Sequence, residues 1–384
     1  MWRLLGKNQT HTRPVRLRLA IRRVVDFKDD IRPGFDQPRL TWLQDDGVGA
    51  GSEDLQMFGL KLLRKLVNKK GTVSEVLTQR VQRALEALDY QPHRLARSLK
   101  FQRTHTIGVV IPDFTNLFFA EVVRGAEDEA RTHGYSMILC DSNEDEAQEF
   151  ANLNTLYSWR VDGVLLAAAA VRGGQDSLLR RRFPIVLVDR IPPGFDGPAV
   201  ITDNFKGAYE AARHLISLGH ERLAIIVGRL EFSNAIDRLE GFRKAVQESG
   251  LLFRDEYLQH GNFQLESGYT CGLRLLDLPN PPTAIFSCSN KMTLGLMRAV
   301  NERGIRCPEQ MSILGFDDFD WAANFSPRLT TVAQPTEKIG KQAIRMLLQE
   351  MQDFRTPAGN GKQRRVVLDT ELRIRNSTAA PPHA

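Results

Sequence analysis

From Thr104 onward, short runs of consecutive apolar residues alternate with longer stretches whose apolar positions recur at helical spacing. The run IGVVI (107–111) is typical of a strand buried on both faces, and a helical stretch from about 116 to 133 follows it, closed by Gly134. Further apolar runs lie at 136–140, 162–167, 185–189, 200–202, 223–228, 283–288 and 311–318. Repeated strand–helix units predict an α/β fold, and about ten strands favour two doubly wound parallel-sheet lobes over a single sheet.

Polar residues follow five of these strands, at the sheet edge where parallel α/β folds bind their ligands. These strand ends are Pro112-Asp113, Asp141-Ser142-Asn143, Asp189-Arg190, Ser289-Asn290 and Asp317-Asp318. Carboxylates and amides exchange hydrogen bonds with hydroxyl groups, and a guanidinium group holds them with a rigid fork of donors. Helix capping explains a single Asp or Asn at such a place, but five strand ends in register favour a site for a hydroxyl-rich ligand.

The motifs of common catalytic and nucleotide-binding sites are missing from the sequence. It has no GxGxxG, no GxxxxGKS or GxxxxGKT, no GxSxG and no HExxH. Asp317 and Asp318 are adjacent, so on a strand they point to opposite faces and cannot act as a carboxylate pair. His133 and His220 stand beside glycines at predicted helix ends, where we expect them to interact with those ends. We therefore expect no enzyme, with no catalytic residue, no metal ion and no cofactor.

The composition, 42% hydrophobic and 26% charged, is typical of a soluble globular protein. No apolar run reaches the length of a membrane-spanning helix, and the first residues lack the apolar core of a secretory signal. The four cysteines show no CxxC spacing, which favours reduced, mostly buried thiols. We therefore expect a cytoplasmic protein with no membrane partner.

The charge is unevenly distributed along the chain. Residues 61–103 hold 11 basic and 3 acidic residues, a net charge of +8, whereas the whole chain carries +6. Residues 1–60 hold 10 basic and 8 acidic residues, so residues 104–384 carry a net charge of 6 − 8 − 2 = −4. A basic block before a mildly acidic body predicts a small polyanion-binding part attached to a larger domain, although a solvated basic helix has the same charge.

Many separate motifs, in order along the chain, resemble the lactose-repressor/galactose-repressor (LacI/GalR-type) family of bacterial transcriptional regulators. The matching stretches are VSEVLTQRVQRALEALDYQPHRLARSLK (73–100), THTIGVVIPDFTNLFFAEVVRGAEDEARTHGY (104–135), RVDGVLL (160–166), HLISLGHERLAIIVG (214–228), RLEGFRKA (238–245), GFDDFDWA (315–322) and SPRLTTVAQP (326–335). The resemblance runs from about Val67 to the C-terminus.

The resemblance implies a periplasmic-binding-protein-like core whose two lobes are joined by three crossovers and bind an effector between them. The expected effector-binding and dimerisation core is 104–378, followed by a tail at 379–384. Its first lobe would comprise about 104–201 and 334–355, and its second lobe about 202–333 and 364–378. On fold alone a periplasmic binding protein is the alternative, but the missing signal and the basic block favour a regulator.

Residues of this chain that match the family's effector contacts form the candidate site. In this interpretation Phe118 and Phe119 pack on the effector ring, and Arg238 is the anchoring guanidinium group. The full set is Phe118, Phe119, Asp189, Arg190, Arg238, Asn290, Asp317, Trp321 and Gln334. The excess of Asp and Asn over aromatic residues favours a sugar or sugar acid, and a purine is the alternative because aromatic rings also stack on a base.

The segment before the core resembles the family's hinge, which forms a short helix on operator DNA. Its expected DNA-binding residues are Arg94, Ala96, Arg97, Ser98, Leu99 and Lys100. Leu99 would be the wedge that enters the minor groove from each half of a homodimer, while Arg97 and Lys100 would hold phosphates or groove edges. An ordinary basic linker helix is the alternative.

The family's N-terminal helix-turn-helix is not recognisable in this chain. Leu66-Val67-Asn68 fits the tail of its second helix, but three glycines within 47–51 would break a first helix. We interpret 1–64 as an atypical segment, disordered or out of frame, and 65–103 as a headpiece remnant plus hinge. A frameshift, a wrong start and a real extension all remain open for 1–64.

Together these features predict a homodimeric, effector-responsive transcriptional regulator, a repressor, whose partners are operator DNA and a small sugar or sugar acid. The alternative is a small-molecule-binding protein of the same fold without specific DNA binding, because its headpiece is defective.

Overall fold

The computed structural model describes residues 103–169, 183–354 and 365–382. All of them belong to one compact unit, which begins at Ser98. The segment 1–64 therefore lies outside the described residues, as do the predicted headpiece remnant and the six predicted hinge residues.

The first lobe is built on one six-stranded parallel sheet with the order β11-β5-β4-β3-β1-β2 among the described residues. Its strands are β1 (Thr106–Ile111), β2 (Ser136–Asp141), β3 (Gly163–Leu166), β4 (Ile185–Val188), β5 (Ala199–Thr202) and β11 (Arg365–Leu368). Its described helices are α1 (Leu117–Thr132), α2 (Glu146–Ser158) and α8 (Thr336–Asp353). The central strands are short and buried on both faces, which explains their uninterrupted apolar sequences.

The second lobe repeats this plan with the sheet order β12-β10-β9-β8-β6-β7 in the described part of the chain. Its strands are β6 (Leu223–Val227), β7 (Leu258–His260), β8 (Ala284–Ser287), β9 (Ser312–Phe316), β10 (Thr330–Ala333) and β12 (Glu371–Arg373), of which β12 is antiparallel to β10. Its helices are α3 (Asn204–Ser217), α4 (Ser233–Glu248), α5 (Leu265–Leu276), α6 (Asn290–Glu302) and α7 (Asp320–Asn324), with a 3₁₀ turn at Asp255–Tyr257. The predicted α/β fold of two parallel-sheet lobes is confirmed.

The chain passes between the lobes three times, after β5, after β10 and after β11. One predicted boundary is wrong: 364–378 was assigned to the second lobe as a whole, whereas β11 pairs with β5 in the first lobe. The three consecutive apolar residues of β11 are typical of a strand but do not indicate which sheet it joins. Only β12 and the residues after it return to the second lobe.

Glycine allows helices α1 and α8 to approach closely in the first lobe. A Cβ atom on Gly340 would overlap the backbone carbonyl of Val122, and one on Gly125 would overlap the carbonyl of Glu337. The buried face of α8 around this crossing packs into the core of the first lobe through Ile339, Ala343 and Ile344. This close packing fixes the position of helix α8, which begins directly after the crossover from β10.

Apolar packing fills both lobes, and Phe242 and Phe286 stack at the centre of the second lobe, 6.1 Å between centroids. All four cysteines have free thiols; two are buried and two are half-buried, so the expectation of mostly buried thiols holds only for Cys271 and Cys288. Within the described ranges, none of the helices combines the length and the apolar character that crossing a membrane requires.

Candidate functional site

The carboxyl ends of the strands of both lobes face a shared cleft, which has an empty volume of about 410 Å³, part of it open to solvent. Seven of the nine predicted effector residues line this cleft: Phe118, Phe119, Asp189, Arg190, Arg238, Asp317 and Gln334. Its other lining residues are Asp113, Asn116, Glu144, Asn234, Phe263, Gln264 and Ser289. Residues from strand ends far apart in sequence therefore meet at one place, as the position of a ligand site in parallel α/β sheets requires.

Arg238 is the fixed cation of the cleft. Its Nε donates to Asn204 Oδ1 at 2.8 Å and its Nη1 donates to the carbonyl of Cys288 at 2.6 Å. The guanidinium carbon lies 3.6 Å from the centroid of the Phe316 ring, and only 2% of the residue is exposed. A guanidinium group held in this way keeps one orientation before any ligand arrives, so little side-chain entropy is lost on binding.

Asp189 and Asp317 place two carboxylates beside Arg238, one from each lobe. Burial raises the pKa of Asp189 to about 6, although Arg238 and Arg190 oppose the shift. Burial likewise raises the pKa of Asp317, which Arg238 and the hydrogen bond from Gln334 partly offset. Because burial disfavours the ionised form of both carboxyl groups, hydrogen bonds donated by a ligand would stabilise that form.

Each carboxylate is oriented by a neighbouring side-chain amide. Asn234 Nδ2 donates to Asp189 Oδ2 at 3.1 Å, and Gln334 Nε2 donates to Asp317 Oδ1 at 2.6 Å. Gln334 also accepts a 2.6 Å hydrogen bond from Thr202 Oγ1, so it joins the first two crossovers at the cleft. A change in the angle between the lobes would therefore be transmitted to the position of Asp317.

Two buried polar atoms at the cleft have no hydrogen-bond partner, Arg190 Nε and Asn234 Oδ1. The rest of the Arg190 guanidinium is engaged, because Nη2 donates to Glu144 Oε2 at 2.8 Å and the group lies 4.2 Å from the Phe232 ring centroid. A buried unpaired polar group costs about 1–3 kcal/mol. Both atoms belong to residues that line the cleft, and a ligand hydroxyl, which can both accept and donate, is a group that could pair with either of them.

Phe118 and Phe119 begin helix α1 and give the cleft its apolar wall. Their rings meet edge to face with centroids 5.0 Å apart, and both side chains are almost fully buried. The helix starts here because Asn116 Oδ1 caps it by accepting from the Phe118 backbone N–H at 3.0 Å. An apolar wall opposite polar groups is the usual arrangement of a small-molecule site.

Two predicted effector residues do not line the cleft. Trp321 stacks on Phe319 with centroids 5.9 Å apart and packs against both cores. Asn290 contacts two lining residues. Its backbone N–H donates to Asp317 Oδ2 at 3.2 Å within the second lobe, and its Nδ2 donates to Asn116 Oδ1 of the first lobe at 2.7 Å. In this arrangement Asn290 positions Asp317 and Asn116.

Other polar strand ends have structural partners. Asp141 accepts from the backbone N–H groups of Phe114 and Asn143, so its side chain organises loops. Asp318 accepts hydrogen bonds from Arg375 and Thr331 and has no part in the lining, which agrees with opposite orientations for Asp317 and Asp318. The strand-end pattern thus identified four lining strand ends but also included residues with purely local roles.

The two histidines singled out from the sequence differ. His133 is the C-cap residue of α1, as predicted. His220 contacts the end of α3 through its backbone N–H, which donates to the carbonyl of Leu215 at 3.4 Å, but its ring is buried between Thr283 Oγ1 at 2.8 Å and Ser312 Oγ at 3.0 Å. Burial lowers the pKa of His220, so the neutral ring holds a hydrogen-bond network that also includes the carbonyl of Ala379.

Five lining residues were not predicted from the sequence: Asn116, Glu144, Asn234, Phe263 and Gln264. A signal existed for Asn234, because it stands four positions before Arg238 and therefore shares its helix face. Phe263 has a positive φ of 68° in the loop before α5, which the sequence does not reveal. In the described ranges no group of three His, Cys, Asp or Glu residues has an arrangement that could hold a metal ion.

Two similar lobes that close on a polar cleft define the chain as a periplasmic-binding-protein-like protein, and residues 212–378 match the model of the periplasmic binding protein-like domain. The HTH-type transcriptional repressor PurR of Mannheimia succiniciproducens is 34% identical over 314 residues, 81% of this chain and 92% of the relative. The ribose operon repressor of Escherichia coli is 38% identical over 287 residues, 74% of this chain and 86% of the relative.

Among solved structures, a LacI family transcriptional regulator from Enterococcus faecium with bound ribose is 32% identical, with a TM-score of 0.62, and the match covers 72% of this chain and 99% of that chain. This chain therefore belongs to the lactose-repressor/galactose-repressor family of bacterial transcriptional regulators, and the resemblance stated from its motifs is confirmed.

Proposed function

We propose that this chain is an effector-responsive, homodimeric transcriptional repressor that senses a small sugar or sugar acid in the cleft, and that its affinity for operator DNA depends on the headpiece before Asn68. The relatives named above are repressors, and one regulator of similar fold holds ribose. A cytoplasmic location, without a membrane partner, follows from this role. The cleft residues act in binding, so no catalytic role is assigned to them.

One observation carries the proposal of a hydroxyl-rich effector: two residues that line the cleft beside Asp189 and Asp317 each have a polar atom without a partner, the donor Arg190 Nε and the acceptor Asn234 Oδ1. A sugar hydroxyl can accept from Arg190 and donate to Asn234, and neighbouring hydroxyls can donate to the two carboxylates. Phe118 and Phe119 supply the apolar surface against which a sugar ring packs.

Effector binding would act on DNA through the angle between the lobes. The cleft residues come from both lobes, so a ligand that contacts both favours the closed arrangement over an open one. The hinge residues precede the first lobe, and the spacing of two hinge segments in a homodimer would follow that angle. Occupancy of the cleft and DNA affinity are then coupled as two sites that bias one equilibrium.

The effector class can be tested by thermal unfolding of the purified full chain in the presence of neutral sugars, sugar acids and purine bases. We expect members of the sugar or sugar-acid groups, and no purine base, to raise the unfolding temperature. The variant Asn234→Leu should lose this shift because it removes the free acceptor, whereas Asn301→Leu, at an exposed position near the end of α6, should keep it. A shift produced by purine bases alone would overturn the assignment to sugars.

A further inference from the structure

Lys291 of the second lobe crosses the edge of the cleft and contacts the first lobe. Its Nζ donates to Asp113 Oδ2 in a close ion pair and to Thr115 Oγ1 at 2.8 Å. The side chains of Lys291 and Asp113 are 20% and 12% exposed, so the ion pair is largely shielded from solvent. A shielded pair is screened less by salt than an exposed pair.

Asp113 is held in position by its own loop before Lys291 approaches. Its Oδ1 accepts from the backbone N–H of Thr115 at 2.8 Å and from Thr115 Oγ1 at 2.6 Å. The other carboxylate oxygen, Oδ2, is directed to Lys291. Because the loop already fixes the acceptor, the contact between the lobes requires the ordering of one lysine side chain only.

Lys291 lies at the N-terminus of helix α6, where the helix dipole disfavours a positive charge. It is the second residue of α6, directly after Asn290, and a cation in the first helical turn interacts unfavourably with the helix dipole, by about 0.3–1 kcal/mol. The helix itself gives no reason for a lysine at this position. The compensating interaction is the contact with Asp113 in the other lobe, which points to a role in the contact between lobes.

Further hydrogen bonds join the lobes on both sides of the cleft. Beside Lys291, Asn290 Nδ2 donates to Asn116 Oδ1 at 2.7 Å. On the other side, Asn234 donates to Asp189, and the backbone N–H of Ile191 donates to Ser233 Oγ at 3.0 Å. The protein thus makes its own bonds across the cleft.

We propose that Lys291 and Asp113 form a latch that holds the lobes together at the cleft edge before an effector binds. The latch stabilises the closed arrangement with and without effector, so it slows both the entry and the escape of the ligand. It sets the kinetics of the response while leaving the affinity less affected. The kinetic part of this inference rests on the proposed sugar-binding function, whereas the closure of the ligand-free chain does not.

The ligand-free full chain tests the latch by hydrogen–deuterium exchange. In Lys291→Met, which keeps most of the side-chain stem and removes the charge, we expect the amides of Thr115 and Asn116 to exchange at least several-fold faster than in the wild type. Asp113→Asn should have a similar effect, and adding Lys291→Met to it should increase exchange little further, because the two residues act through one contact. Lys341→Met, which removes an exposed ion pair with Glu337 on α8, is the matched control and should leave this segment unchanged.

Stopped-flow mixing with D-ribose tests the kinetic part. Lys291→Met should raise the association and dissociation rate constants together by several-fold, whereas a merely structural weakening would raise the dissociation rate constant alone. Exchange rates near Thr115 that stay within twofold of the wild type in Lys291→Met would overturn the latch. If D-ribose does not bind, the sugar assignment loses support while the exchange comparison still decides the latch.

Discussion

Asp189 and Asp317 occupy equivalent positions in the two lobes. Asp189 follows β4, the third strand in the order β11-β5-β4 of the first sheet, and Asp317 follows β9, the third strand in the order β12-β10-β9 of the second sheet. Both have a left-handed backbone conformation, with φ of 69° and 77°. Their backbone N–H groups donate to the carbonyls of Val200 and Val332, which lie on the equivalent neighbouring strands β5 and β10. The repeated fold thus delivers one carboxylate from each side of the cleft to Arg238.

The left-handed conformation at both positions costs energy for a residue other than glycine. Such strained residues concentrate at functional sites, where the surrounding structure holds them in place. Here the strain turns each side chain from its strand into the cleft, where the two carboxylates face the same guanidinium group. The pair therefore indicates a binding role more directly than either residue does alone.

Replacing Arg238 with Ala should lower the affinity for the effector by on the order of 2–4 kcal/mol, because the ligand's polar atoms would lose a buried charged donor. The structure adds a second effect: Arg238 also compensates Asp189 and Asp317, so the variant should unfold at a lower temperature. Calorimetric titration below that temperature measures the affinity, with Arg345→Ala, on an exposed face of α8, as the control. An affinity equal to that of the wild type would contradict the role of Arg238.

Effector affinity should depend on pH through Asp189, whose pKa is raised to about 6 in the ligand-free protein. Hydroxyl donors favour the ionised carboxylate, so binding should lower this pKa and release protons. Affinity should therefore rise as the pH increases up to about 6 and change little above it. Titrations near pH 5.5 in two buffers of different ionisation enthalpy measure the protons released, and Asp189→Asn should abolish most of the effect. Net proton uptake on binding would refute this assignment.

A Cβ atom at the crossing of α1 and α8 should destabilise the first lobe. Gly340→Ala places it against the backbone carbonyl of Val122, so the helices must separate, at a cost of about 1–3 kcal/mol. Denaturant unfolding measures the loss, and Lys338→Ala at a nearby exposed position of α8 should change the free energy of unfolding by less than about 0.5 kcal/mol. Equal stabilities for the two variants would show that α8 shifts without cost.

DNA binding by this chain as written should be weak, steeply dependent on salt and little dependent on sequence, because the reading helices are not recognisable before Asn68. Restoring a family-type helix-turn-helix before Asn68 should recover specific binding to a near-palindromic site. In that restored protein, Leu99→Ala should reduce specificity by removing the minor-groove wedge. Gel-shift titrations at two salt concentrations compare the three proteins. Tight, salt-tolerant, sequence-specific binding by the chain as written would mean that residues 1–66 form a reading head.

The sequence predicted eight of the twelve described strands, because buried parallel strands such as β1 and β6 have uninterrupted apolar runs, and it did not predict β7, β10, β11 and β12. It also predicted a ligand site at the polar strand ends that include Asp189 and Asp317, whereas Arg238, on helix α4, was placed with them by the resemblance to the family. It did not predict Glu144 or Phe263, because loop conformation places them there. Trp321 was misplaced because an aromatic residue near a strand end can turn equally into the core.

The central claim is that a hydroxyl-rich ligand binds between Arg190, Asn234 and the two carboxylates. A crystal structure of the chain grown with the sugar or sugar acid that gives the largest thermal shift tests it most directly. We predict ligand hydroxyls within hydrogen-bond distance of Arg190 Nε and Asn234 Oδ1, with the ring against Phe118 or Phe119. A ligand bound elsewhere, with both atoms still unpartnered, would contradict it.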